Sequence, residues 1–291
     1  MDILESIGNT PLVQLKRIVP SGSGRVFVKL EKANPTGSMK DRMARAVIEA
    51  AERKGQLSSG GTVVEYTGGT TGISLAFVCA AKGYRTEIVF SDAFSMEKAF
   101  TMRAFGANVT IVHNDGRGIT ENTIRLMIEK AREMSKLPGS WWSDQLNNRD
   151  AARGYHALGE EIWNQTNGAI DAFVQSVGTA HSIHGTTEVL SAYKSSIQAA
   201  AVEPAISRAF GQVPWVSHHR GNRHRVCPPT LAEGQSERSD DSLYARGGTD
   251  GAAPGSRRRD IWRNVIGGKR ICSLEGRQTI RAESDSCYAN C

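Results

Sequence analysis

A lysine at position 40 stands where a strand and the small-residue turn Asn34-Pro35-Thr36-Gly37-Ser38-Met39 give way to a helix-forming run beginning Lys40-Asp41-Arg42. Helix N-termini expose amide N–H groups and the positive end of the macrodipole, which favour anions. A cation in the first turn therefore calls for either solvent or chemistry. Burial would lower the pKa of the amine and make it a nucleophile or a base. Taken alone, a solvated lysine at a helix start explains the observation as well.

Two further turns change that balance. Thr67-Gly68-Gly69-Thr70-Thr71-Gly72 follows the apolar run TVVEY, and Gly178-Thr179-Ala180-His181-Ser182 follows DAFVQSV. Each is rich in Gly, Ser and Thr and lies between a strand pattern and a helix pattern. Such turns present N–H groups and hydroxyls to an anion at the carboxyl end of a sheet, where α/β proteins bind ligands. An ordinary βα turn is the plain alternative for either one alone. His181 and His184 have an i,i+3 spacing that could suit a metal, but no third ligand is legible, so no metal is expected.

The elements that must position these residues alternate along the first two thirds of the chain. RVFVKLE, TVVEY, TEIVF, NVTIV, DAFVQSVG and IQAAAVE read as strands. MKDRMARAVIEAAERKG, TGISLAFVCAAKG, SMEKAFTMRAFG, ITENTIRLMIEKAREMS, RDAARGYHALGEEIWNQ and SIHGTTEVLSAYK have helical spacing. The alternation predicts an α/β fold around a largely parallel sheet.

At 291 residues with 39% hydrophobic content, the chain suits a soluble protein of one large or two modest domains. No apolar run approaches the ~18 residues of a membrane span, and the start MDILESIGNTP lacks the basic and apolar regions of a secretion signal. The expectation is a cytoplasmic protein without membrane contact. Five cysteines without a CxxC spacing point to neither a disulfide scaffold nor a zinc site, and Cys79 within LAFVCAAKG is expected to be a core thiol. Residues 206–291 carry 14 Lys and Arg against 9 Asp and Glu, so +5 of the +6 net charge lies there. The same stretch has only 13 Ile, Leu, Val and Phe and shows no periodicity, a composition expected to remain disordered rather than form a packed core.

Together these segments resemble the cysteine synthase and cystathionine β-synthase family of pyridoxal-phosphate enzymes over residues 1–205. IGNTPLVQL resembles the family's opening, NPTGSMKDR its cofactor-lysine motif, and DQLNN at 144–148 its DQFNN stretch. The resemblance implies the tryptophan synthase β-like α/β fold (fold type II) with two three-layer αβα domains. The larger, cofactor-holding domain would comprise 1–40 and 146–205, and the smaller substrate-loop domain 41–145. It implies Lys40 as the Schiff-base lysine and proton-transfer base. Gly178, Thr179, Ala180, His181 and Ser182 would form the phosphate cradle, which reads GTAHS where the family usually has GTGGT. Thr70 stands where the family has an asparagine near the cofactor ring, and Thr67, Gly68, Thr71 and Gln145 would contact substrate. The implied reaction is β-replacement on an O-activated serine through an aminoacrylate, with a thiol or sulfide as nucleophile; hydrolysis of that species would instead make a lyase. A homodimer is implied as well.

The resemblance stops abruptly after VEPA, at Ala205. The expectation is that residues from Ile206 are translated one base out of register. Arg263 to Arg270 can be encoded so that a one-base shift reads GTSSGAN, which resembles the family loop whose serine contacts the pyridine nitrogen of the cofactor. Asp250 to Ile261 and His219 to Pro229 likewise yield family-like MARRLAREEGI and IEGIGIGFVPP, in the expected order. The alternatives are a catalytically impaired remnant of the fold and a basic tail that binds nucleic acid or an acidic partner, although no aromatic interleaving or recognised binding motif supports the latter.

Overall fold

The computed structural model describes residues 2–116 and 118–204, together with the strands 269–273 and 286–289. Within it the chain builds two sheets. One sheet has four strands, β3 (Thr62–Tyr66), β4 (Arg85–Ser91), β5 (Asn108–Val112) and β6 (Ser140–Trp142), ordered β5-β4-β3-β6 and all parallel. The other sheet takes strands from both ends of the chain: β1 (Leu12–Leu15), β2 (Val26–Lys29), β7 (Ala172–Ser176), β8 (Gln198–Pro204), β9 (Lys269–Ser273) and β10 (Ser286–Ala289). Its order is β1-β2-β10-β7-β8-β9, with β1 and β9 antiparallel to their neighbours. The chain thus leaves the six-stranded sheet after Lys29 and returns to it at Ala172.

Among the described residues, seven α-helices lie between β2 and β8: α1 (Lys40–Arg53), α2 (Thr70–Lys82), α3 (Met96–Ala104), α4 (Glu121–Met134), α5 (Asp150–Arg153), α6 (His156–Gln165) and α7 (His181–Tyr193). Strand β3 is buried throughout, with Val63 in one apolar cluster and Val64 in another, because successive side chains point to opposite faces and both faces are covered. Helix α1 turns Met43, Ala44, Val47, Ile48 and Ala51 into the first cluster, the i, i+1, i+4, i+5, i+8 stripe of an amphipathic helix. Cys79 is fully buried in α2, as expected of a core thiol, and burial pushes its pKa up to about 12.

The sequence patterns agree with these elements at six strands and miss four, β1, β6, β9 and β10. β1 and β6 are too short for periodicity to show, and exist because β2 and β3 offer them backbone partners. The composition of the tail predicts no packed core of its own, and the two pieces of it that are described, β9 and β10, join the six-stranded sheet by backbone pairing. Strand pairing uses main-chain groups that any non-proline sequence carries. The remaining tail expectations, including the segments 219–229 and 250–261, lie outside the described residues.

One expected helix is split. RDAARGYHALGEEIWNQ breaks at Gly154, where a side chain would come within 2.9 Å of the Arg42 carbonyl and Met43 Cα of α1. Glycine there lets α1 pack closely against the segment. Gly185 of α7 is tighter still, since a Cβ there would lie 2.0 Å from the Ala152 carbonyl oxygen of α5. Gly185→Ala should therefore destabilise the protein by about 3 kcal/mol or more through overpacking, readable as a lowered denaturation midpoint.

A buried ionic cluster fixes the start of α1. Arg42 donates to Glu31 at 2.7 Å and to Glu161 at 2.7 Å, and Lys29 reaches Glu161 at 2.6 Å. Burial alone would raise the pKa of Glu161, but Arg42 and Lys29 outweigh it and hold that carboxyl at about 2. The cluster ties β2, α6 and the helix bearing Lys40 into one unit.

Candidate active site

Lys40 is the first residue of α1, and its backbone N–H donates to Ser38 Oγ at 3.1 Å. The preceding turn is closed by Asp41, which accepts from Thr36 N at 2.8 Å and from Thr36 Oγ1 at 2.5 Å. Burial raises the pKa of Asp41 against those hydrogen bonds. So anchored, the half-buried Lys40 side chain reaches across to the second turn: Nζ lies 3.4 Å from Thr179 Oγ1 and 6.0 Å from the ring centroid of the fully buried Tyr155. Residues 139 positions apart meet here.

The turn after β7 meets Lys40 at Thr179. Gly178 borders open space, with nothing within 4 Å of where a side chain would begin. Ala180 adopts φ 63°, a left-handed conformation unusual for a residue with a Cβ, and α7 follows at once. Ser182 Oγ accepts from Gln175 Nε2 at 2.6 Å, and the same amide lies 3.3 Å from Met39 Sδ, beside Lys40. His181 is 1% exposed, and its Nε2 lies 2.8 Å from the Gln145 carbonyl oxygen. Its Nδ1 is buried without a hydrogen-bond partner. Burial first, and then the Lys40 charge, push its pKa down to about 4.

The turn after β3 faces Gln145. Thr67 Oγ1 accepts from Gly69 N at 3.0 Å, and the side chain of Lys98 from α3 lies over Gly69. Gly68 and Thr70 are half-buried. Thr71 Oγ1 donates to Gln145 Oε1 at 2.6 Å, while Gln145 Nε2 donates to the Tyr66 carbonyl at 2.9 Å. Both ends of the Gln145 amide are thus engaged within the protein.

Glu65, which sequence reasoning did not single out, holds this segment from below. It is fully buried and accepts from Ser143 Oγ at 2.6 Å, Gln145 N at 2.9 Å and Tyr66 N at 2.9 Å. The available signal was a carboxylate at an inward position of the otherwise uncharged run TVVEY. Burial raises its pKa to about 7 despite the donors around it. Because the folded value exceeds the unfolded one, the stability it contributes is complete below about pH 4.5 and declines as pH rises through 7. Glu65→Gln should flatten that decline in pH-dependent denaturation. It should also cost about 1–3 kcal/mol, since an amide NH₂ would face a donor.

A lysine at a helix start, facing a Gly- and hydroxyl-rich turn between a strand and a helix, is the arrangement that a cofactor-dependent α/β enzyme of the carbonyl-capturing kind would require. The chain belongs to the pyridoxal-phosphate dependent enzyme family, whose model matches residues 3–252. Cysteine synthase B of Salmonella typhimurium (strain LT2) is 38% identical over 206 residues, 70% of this chain and 66% of that protein. Among solved structures, a hydrogen sulfide-producing enzyme from Fusobacterium nucleatum superposes with a TM-score of 0.65 at 34% identity, covering 71% of this chain and 67% of that one. A cysteine synthase from Entamoeba histolytica does so with a TM-score of 0.65 at 35% identity, covering 71% and 61%. The chain spans just under two thirds of the length of curated relatives that it matches. The fold is the fold type II α/β architecture, as the resemblance implied.

The residues present fit pyridoxal phosphate. Lys40 supplies the amine, the open space at Gly178 leaves room for a phosphate beside the first turn of α7, and the unpartnered His181 Nδ1 marks a polar position that the protein itself does not fill.

Proposed function

We propose that this chain is a cysteine synthase-like enzyme that uses pyridoxal phosphate to replace the β-substituent of an O-activated serine with a thiol or sulfide. The observation that carries the reading is the placement of Lys40 Nζ 3.4 Å from Thr179 in the 178–182 cradle. A lysine linked to the cofactor's carbonyl carbon needs the phosphate held within one cofactor length, and this turn lies there. When bound, the cofactor supplies an electron sink for a carbanion at the amino acid α-carbon.

The residues of the chain then divide the work. Gly178, Thr179, Ala180, His181 and Ser182 would hold the phosphate through backbone N–H groups and hydroxyls, and Thr70 would approach the ring. Lys40, which would hold the cofactor, would also serve as the base for the substrate's α-proton. Thr67, Gly68, Thr71 and Gln145 receive the substrate carboxylate, which would displace the present Thr71–Gln145 hydrogen bond. Residues 1–40 and 146–205, which give four strands of the six-stranded sheet, would serve as the cofactor domain, and residues 41–145, which hold the four-stranded sheet, as the substrate-loop domain. Resemblance to the family supports a cytoplasmic homodimer, and no helix among the described residues is long and apolar enough to cross a membrane.

Titration of the purified chain with pyridoxal phosphate tests this. A visible absorption band should develop, shift when O-acetylserine is added, and return when sulfide is added, with cysteine formed. Absence of a band at saturating cofactor would favour the alternative, an impaired remnant of the same fold.

A further inference from the structure

The protonation of His181 follows from its partner. A backbone carbonyl only accepts, so the 2.8 Å contact with the Gln145 oxygen puts the proton on Nε2. In the neutral ring Nδ1 is then a bare lone pair, and it is buried without a hydrogen-bond partner in the first turn of α7. An acceptor in this position wants a donor. Fully ionised phosphate carries none, so a dianion and the lone pair would repel each other.

We propose that His181 makes occupation of the cradle proton-coupled: a phosphate group enters only together with one added proton, shared between a phosphate oxygen and His181 Nδ1. The proposal rests on the reading above that residues 178–182 hold the cofactor phosphate. Its balance is simple. A phosphate dianion, one proton from solvent and the neutral ring give the complex, and no covalent bond to carbon or phosphorus forms or breaks. Whether the proton is written as P–O–H donating to Nδ1 or as Nδ1–H donating to P–O, the composition is the same.

The surroundings keep the ring neutral until the anion arrives. Among the described residues, the charged or titratable groups acting on it are Lys40 from α1 and His184 one turn along α7, and both oppose a second positive charge. Burial acts in the same direction and more strongly. A phosphate group supplies the negative charge that this pocket lacks. Because phosphate has a second pKa near ~6, proton uptake on binding should approach one per site above about pH 7, and affinity should fall about tenfold per pH unit there.

Calorimetry of the full chain with 4′-deoxypyridoxine 5′-phosphate tests the proposal, since that probe has no aldehyde and forms no bond to Lys40. Titrations between pH 7 and 8.5, in two buffers of different ionisation enthalpy, give the protons taken up. The native chain should take up about one proton more than His181→Gly, whose affinity should lose the corresponding pH dependence; ring titration of the probe is common to both and cancels. His181→Gln, which keeps a donor for the Gln145 carbonyl, should behave like His181→Gly and guards against misfolding of the glycine variant. Phosphate-dependent binding with equal proton uptake in all three proteins overturns the proposal alone. Failure to bind, or binding as tight to 4′-deoxypyridoxine without its phosphate, overturns the cradle reading and the proposal with it.

Discussion

Lys40→Ala is expected to abolish covalent attachment of pyridoxal phosphate and to lower any β-replacement rate by at least the ~10²–10⁴-fold typical of removing a proton-transfer group. The amine has two tasks in the proposed reaction, so its loss removes both the linkage and the base. Borohydride reduction of the cofactor-treated native chain should fix the cofactor's mass on the peptide containing Lys40, and the variant should show no such adduct. A mass increase at Lys98, whose side chain lies over Gly69 in the other turn, would overturn the assignment. The fold should tolerate the change. Lys40 is half-buried, stands outside the apolar clusters, and alanine is a better helix former. Denaturation midpoints should stay within about 1 kcal/mol of the native chain, which separates loss of chemistry from loss of structure.

The second large effect concerns the tail. If residues from Ile206 are read one base out of register, a single-base correction in the gene should restore an open frame containing GTSSGAN where the present chain has Arg263 to Arg270. The restored serine would return a hydrogen bond to the pyridine nitrogen. A bond of that kind contributes about 1.5–3 kcal/mol when one partner is charged, or roughly 10- to 100-fold in affinity. We therefore propose that the frame-restored protein binds pyridoxal phosphate about 10- to 100-fold more tightly than the present chain, as read by cofactor titration. Equal affinities would show that this contact is not missing. The strands β9 and β10 do not decide the matter, because their main-chain pairing makes no demand on which side chain reaches the ring.

Local patterning made most of the fold legible. TVVEY, TEIVF and NVTIV are compact apolar runs, and their strand identity follows from length, composition and flanking turns. The stripe in α1 is visible because i, i+4 and i+8 recur over three turns. Leu12–Leu15 and Ser140–Trp142 carry no such record, since three or four residues cannot display a period and their partners lie elsewhere in the chain. The break at Gly154 was hidden for a related reason: a glycine inside a helical pattern does not announce which helix will press against it.

The site divides in the same way. Lys40, the two Gly- and hydroxyl-rich turns and Gln145 could be picked out by type, spacing and resemblance, because a cofactor lysine and anion-binding turns are local chemical devices. Their assembly was not local. The meeting of Lys40 with Thr179 depends on α1 and α7 each packing against the 150–155 segment, closely at Gly154 and Gly185, and Glu65 gains its role only when the 143–145 segment closes over it. The sequence by itself determined which groups could react. Tertiary structure decided which nitrogen of His181 carries the proton and which acceptor is left bare, because a hydrogen-bond partner 36 residues away, rather than the imidazole, sets the tautomer.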